Sequence, residues 1–336
     1  MNKIAKTVLM TGTALCAAGV VLSTAGYFAG GKDFTYTSDH MYVSGGNSSS
    51  RKNLTVMKKE QIDDFTKLNV DFEDFDLDIR TSDDDHYYME YKLEKNGRKN
   101  PLTWKDKDGE LTLEEPAGGS GSYYITYDLG IFSTHADLTE KKDALNTVVL
   151  YIPEKAQLSE AELQLSDGDL AADQLLCKEM TLELLNGDLM LDKGVFEKFE
   201  AKLGDGDLDV KELQCTDNMQ LKSGNGDVTI KKAELADGQI ALSDGDIQID
   251  NSSFNGDMKI NSSCGDVSVE MKNGSAEKTN IYLKAADGDV DTEGLSRGKT
   301  DNEEDTSVYE NKAGASAPTL NVECSDGDIT LTESEK

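Results

Sequence analysis

The chain has 336 residues, with 34 Lys and Arg against 65 Asp and Glu, and so a formal net charge of -31 at pH 7. That balance excludes partners held by phosphate attraction, nucleic acid and anionic lipid headgroups among them, and favours basic surfaces or metal cations. Hydrophobic residues make up 37 % with a single tryptophan, which is lean for one thick core but adequate for a thin core repeated along an axis.

Residues 7 to 31 read TVLMTGTALCAAGVVLSTAGYFAGG, a charge-free stretch of 25 residues that as a helix exceeds the roughly 30 Å hydrocarbon thickness. Lys3 and Lys6 precede it, so the positive-inside rule predicts a single-pass anchor over 1–31 with the N-terminus cytoplasmic and the remainder outside the cell. A cleaved signal peptide is the alternative, with Ser23-Thr24-Ala25 near a cut site, although the apolar run continues through Tyr27 and Phe28. Leu15 before Cys16 is too large for a lipobox. Residues 32–58 are polar and include Gly45-Gly46-Asn47-Ser48-Ser49-Ser50, which predicts a stalk.

Period-2 alternation begins at Phe65. In Leu68-Asn69-Val70-Asp71-Phe72 and Phe75-Asp76-Leu77-Asp78-Ile79 every second residue is apolar, the signature of strands with one buried face. Tyr88 to Leu93, Leu111 to Leu113 and Val148 to Ile152 continue it, so 59–156 reads as a β-rich N-terminal part, interrupted by a long loop or irregular hairpin from Glu115 to Lys142.

From about residue 157 the tripeptide Asn/Asp-Gly-Asp recurs. Its glycines fall at Gly168, Gly187, Gly206, Gly226 and Gly245, in steps of 19, 19, 20 and 19 residues, and continue at Gly265 (as Cys-Gly-Asp), Gly288 and Gly327. A period near 20 residues means stacked repeats, so 157–336 is predicted to be a parallel β-solenoid, each coil a short strand, a Gly turn and a second strand. In such a stack Leu170, Leu189, Leu208, Val228, Ile247 and Val267 form one buried aliphatic ladder. The eight glycines form the matching corner ladder, with Gly supplying positive φ where the backbone needs it. Residues 292–316 are charged and poorly hydrophobic and read as a surface loop inserted before the last coil, whose charged tail Glu333 to Lys336 is expected to discourage further strand addition.

The succession of Ser-Asp-Gly-Asp coils, with the entry LNVDFEDFDLDI and the segment VVLYIPEKAQL, resembles the bacterial putative-adhesin family of β-solenoid domains of unknown function, from about Ile62 onward. That resemblance implies a fold and no catalytic residues. The acidity and the 292–316 insertion depart from it and have no assigned role.

Three chemistries are open to the repeated acids Asp167, Asp169, Asp188, Asp205, Asp207, Asp227, Asp244, Asp246, Asp266, Asp287, Asp289, Asp326 and Asp328. Stacked about 4.8 Å apart, carboxylates repel by about 1 kcal/mol per pair even at the dielectric of water, which calcium would offset by collecting hard oxygen ligands. The plainer reading is that each Asp caps a turn amide and faces solvent. A polysaccharide-cleaving site would need one singular carboxylate pair, yet the acids recur in nearly every coil. His40, His86 and His135 stand in unrelated contexts, and no phosphate loop, nucleophile elbow or zinc spacing appears. Cys177 and Cys215, 38 residues or two periods apart, are placed too far from each other to bridge. The expected function is therefore non-catalytic: a cell-surface binding protein that displays an acidic solenoid to a protein or glycan ligand, with no cofactor unless calcium is bound and no nucleic-acid partner. The alternative is an envelope scaffold or sensor acting through a membrane partner.

Overall fold

The computed structural model describes residues 34–36, 41–43, 54–116, 145–292, 295, 298–303 and 306–335. The predicted anchor, most of the stalk, the loop 117–144, His40 and His135 lie outside them. Among the described residues no helix is long and apolar enough to cross a membrane. The chain divides into two units. Of the first, an antiparallel pair, Phe34–Tyr36 with Met41–Val43, is described. The second is an all-β solenoid, and it begins earlier than expected: strand Leu54–Ile62 starts inside the predicted stalk and runs on into the predicted β-rich part.

Each regular coil has three faces rather than the two strands expected. The first face is the strand before the Gly corner, as in 198–205, and the second is the strand after it, as in 208–210. A third short segment, 213–215 in that coil, turns the chain back. All three pair in parallel with their equivalents above and below. Alternation explains the cross-section: the inward residues are Leu, Ile, Val, Phe, Met, Ala and Cys, the outward ones mostly polar or charged. The ladder Leu170, Leu189, Leu208, Val228, Ile247, Val267 forms as predicted, every member buried. It extends through Leu77 and Val148 at one end and Ile329 and Val290 at the other.

The stacking order departs from chain order at both ends, which period alone does not reveal. Coil 67–82 sits between coil 110–153 and the Gly168 coil. The Gly327 coil, last in sequence, sits between the Gly265 and Gly288 coils. The charged tail therefore does not terminate the stack. Antiparallel strands do so instead, because reversing direction breaks the parallel register that a further coil would need. At one end Thr103–Lys107 covers Glu110–Glu114, and Tyr87–Glu94 covers Thr147–Pro153. At the other, Thr306–Asn311 covers Asn280–Asp287 and is itself paired with Lys299–Glu303. The segment read as a surface loop, 292–316, thus contains the hairpin that closes this end.

Candidate functional site

The Asn/Asp-Gly-Asp corners stack into one edge of the solenoid. At Gly206 a Cβ would lie 2.1 Å from the carbonyl oxygen of Gly187, and at Gly187 2.3 Å from that of Gly168. The same approach recurs at every corner glycine, in the order 168, 187, 206, 226, 245, 265, 327, 288. Six of these glycines have positive φ, from +113° to +159°, whereas Gly168 and Gly187 do not. Close approach of the neighbouring coil, rather than φ alone, is what demands glycine at all eight.

The aspartate after each glycine ties its coil to the next. Asp188 N donates to Asp169 Oδ1 at 2.9 Å, Asp207 N to Asp188 Oδ1 at 2.9 Å and Asp227 N to Asp207 Oδ1 at 2.8 Å. The series continues through Asp246 and Asp266, then Asp328, then Asp289, at 2.8 to 2.9 Å. It starts one coil earlier than the motif does, where Asp169 N donates to Asp76 Oδ1 at 3.0 Å. Each carboxylate thus caps a turn amide, as the plainer reading held, but the amide belongs to the following coil. Asp76 is the member that sequence reasoning missed: its coil carries Asp74-Phe75-Asp76, and the carbonyl of Phe75 stands where the others place a glycine carbonyl. The D-x-D spacing within an alternating strand was the available signal. Half-burial raises the Asp76 carboxyl above its ordinary value, an effect opposed by the Asp169 amide.

The residue before each glycine forms a second row, and here charge alternates. In stacking order it runs Asp167, Asn186, Asp205, Asn225, Asp244, Cys264, Asp326, Asp287. Asn186 Nδ2 donates to Asp167 Oδ1 at 2.7 Å, and Asn225 Nδ2 donates to Asp205 Oδ1. Neutral residues separate the acids until the final pair, Asp326 beside Asp287. Spacing two carboxylates by two rungs instead of one halves their direct repulsion. A shorter aspartate ladder also missed in sequence lies elsewhere on the coil: Asp257 N donates to Asp237 Oδ1 at 2.6 Å and Thr319 N to Asp257 Oδ1 at 2.9 Å. All thirteen candidate aspartates are exposed, and among the described residues no cluster of three or more His, Cys, Asp or Glu is arranged to hold a metal.

The outward faces carry cross-coil ion pairs such as Lys67–Glu160 at 2.6 Å, Lys198–Glu179 at 2.9 Å and Lys211–Asp192 at 2.6 Å. A different chemistry gathers near coil 67–82, where Arg80, Tyr151 and Tyr88 lie side by side on three adjacent strands. Lys59 Nζ stands 3.7 Å from the Tyr151 ring centroid and 4.9 Å from that of Tyr88. Tyr151 donates to Glu90 Oε1 at 2.6 Å and Tyr88 to Asp84 Oδ2 at 2.7 Å, which fixes both rings. His86 is exposed beside Asp84. Cys177 and Cys215 are buried two rungs apart, both free, and burial pushes the Cys177 thiol up to about 12.

An all-β solenoid of parallel coils, cornered by glycine and laced by aspartate, is the class of protein these features define. The Toastrack DUF4097 family model matches residues 65–332, and the chain belongs to that family. No curated protein matches the chain. Solved structures similar to it include a putative adhesin from Parabacteroides merdae, 15 % identical over 86 % of this chain and 98 % of that one, TM-score 0.44. Others are a putative adhesin from Parabacteroides distasonis (14 % identity, 84 % and 97 % coverage, TM-score 0.40) and one from Bacteroides fragilis (13 %, 84 % and 98 %, TM-score 0.39). At such identities and superpositions these likenesses carry no argument of their own.

Proposed function

We propose that this Toastrack protein is a non-catalytic binding module, held at the outer side of a cell membrane by its N-terminal apolar segment, that engages a protein or glycan through its solenoid faces. One observation carries the reading: the carboxylate after every corner glycine that has a coil beyond it accepts the backbone amide of that coil. The motif that most resembles a reactive or metal-binding signature is thereby engaged in holding the stack. A carboxylate used this way in coil after coil is a poor general acid, since such catalysis needs one group in a singular environment. Calcium at the same edge would meet carboxylates whose Oδ1 atoms already accept an amide, and so would add to the stack rather than create it. The contact surface is then the outward rows, including the Arg80, Tyr88 and Tyr151 cluster, whose amphipathic rings suit a glycan or peptide face.

The test pairs location with binding. Intact cells expressing the full chain should yield solenoid lysines to an impermeant amine label, and those cells should retain one class among immobilised matrix proteins and cell-wall glycans. Labelling only after lysis, or equal retention by cells lacking the protein, would sink the proposal.

A further inference from the structure

The displaced position of the last coil creates a slot whose two walls precede its occupant in the chain. On one wall Gly265 N and Val267 N donate to Asp326 O and Asp328 O at 3.0 and 2.9 Å. On the other, Gly327 N and Ile329 N donate to Asp287 O and Asp289 O at 3.1 and 2.9 Å. The aspartate ladder crosses the slot through Asp328 N to Asp266 Oδ1 and Asp289 N to Asp328 Oδ1, both at 2.8 Å. Leu320, Val322, Cys324, Ile329 and Leu331 fill its interior.

The occupant is joined to its walls by residues 312–318. Asn311 pairs with Ile281 and Thr319 with Asn280, so this segment passes from one side of a single strand end to the other. Residues 312–316 are exposed, and a Cβ added at Gly314 would meet nothing within 4 Å. The Asn280 side chain fastens the segment. Its Nδ2 donates to Gly314 O at 2.9 Å and Ala317 O at 3.0 Å, and its Oδ1 accepts from Ala313 N at 3.0 Å and Gly314 N at 3.2 Å. One asparagine thus makes four hydrogen bonds to an otherwise loosely packed hinge.

We propose that residues 319–333 are an exchangeable inner coil latched by Asn280, and that the same segment of a second copy of this chain takes its place to join two copies by reciprocal insertion. The slot recognises a register through backbone edges, a corner glycine and an aspartate, and these contacts are the same whichever copy supplies the coil. Reciprocal exchange conserves every contact and alters only the hinge, which makes it a low-cost route to a dimer. The seven-residue tether gives the resident coil a high effective concentration, so the closed monomer dominates in dilute solution, and the latch adds to the barrier that the coil's own contacts set against opening.

The full chain, in mild detergent and prepared in light and isotope-heavy forms, provides the test. Mixed and followed by native mass spectrometry, Asn280→Ala is expected to form light–heavy dimers at least tenfold faster than the wild type, in a concentration-dependent way. In those dimers Ser268→Cys on one copy should cross-link to Thr330→Cys on the other. Absence of mixed dimers from both proteins, or mixed dimers in which that cross-link stays within one copy, would overturn the proposal. Should Asn280→Ala fail to fold, a protease site placed at 314–316 leaves the latch residue in place. After cutting, a labelled 317–335 peptide should replace the resident segment, and retention of that segment until global unfolding would equally overturn it.

Discussion

Gly187 and Gly206 separate two reasons for glycine that usually arrive together. Both face a neighbouring carbonyl at close range, but only Gly206 has positive φ, +146°. If approach of the next coil is what matters, Gly187→Ala and Gly206→Ala should each destabilise by about 2–4 kcal/mol, measured by denaturant unfolding. A Gly187→Ala cost below about 1 kcal/mol would return the argument to φ alone. Asp76 shows what becomes of the aspartate ladder where it enters a more buried setting. Its carboxyl is raised by burial, so its contribution to stability is fully present below the ordinary carboxylate range and is lost as pH rises through the raised value. Asp76→Asn keeps an oxygen for the Asp169 amide and removes the charge. Its melting temperature should exceed the wild type's at about pH 7, with the gap closing towards about pH 3; a gap independent of pH would contradict the assignment. The glycines and the aliphatic ladder were legible in the sequence because both depend on period and residue type. Asp76 was not, because Phe75 replaces the glycine that marks the motif.

Among the elements, the row before the glycines shows a coil-to-coil design that no single coil reveals. Acid and amide alternate from Asp167 to Asn225, and the two asparagine side chains donate to the acids of the coils before them. Asn186→Asp would place three like charges on consecutive rungs, Asp167, the new carboxylate and Asp205, and would remove one donor. We expect a loss of about 1–2 kcal/mol at low salt that shrinks as ionic strength rises. A loss unchanged by salt would point to the missing hydrogen bond alone. The exposed cross-coil pairs such as Lys198–Glu179 are held in high dielectric and screened by salt, so they add little and the faces tolerate substitution far better than the corners. The Asn/Asp alternation was visible in the sequence as a spelling variant, but its meaning depended on which coils touch.

For the solenoid as a whole, the inverted order of the end coils is the feature that repeat counting could not supply. Period places Gly288 next to Gly265, yet Ser268 pairs with Thr330, and Thr330 in turn with Asp291. In a Cys264→Ser background, a Ser268→Cys/Thr330→Cys pair should form an intramolecular disulfide, while Ser268→Cys/Asp291→Cys, two rungs or about 9.6 Å apart, should not. The reverse result would restore chain order. Antiparallel closure at both ends was likewise illegible. Thr103–Lys107 and the 299–311 hairpin carry no distinctive pattern of their own and acquire strand pairing from the edges they cover.

These scales meet in the claim that the repeated aspartate is an acceptor for the next coil's amide. The most direct measurement is thermal melting of the wild type, Asp207→Asn and Asp207→Ala, each with added calcium and with chelator. The account predicts that Asp207→Asn, which keeps the accepting oxygen, melts close to the wild type. Asp207→Ala should lose about 1–2 kcal/mol, and none of the three should respond to chelator. Asp207→Asn falling as far as Asp207→Ala, together with a matching loss when the wild type is stripped of calcium, would contradict it.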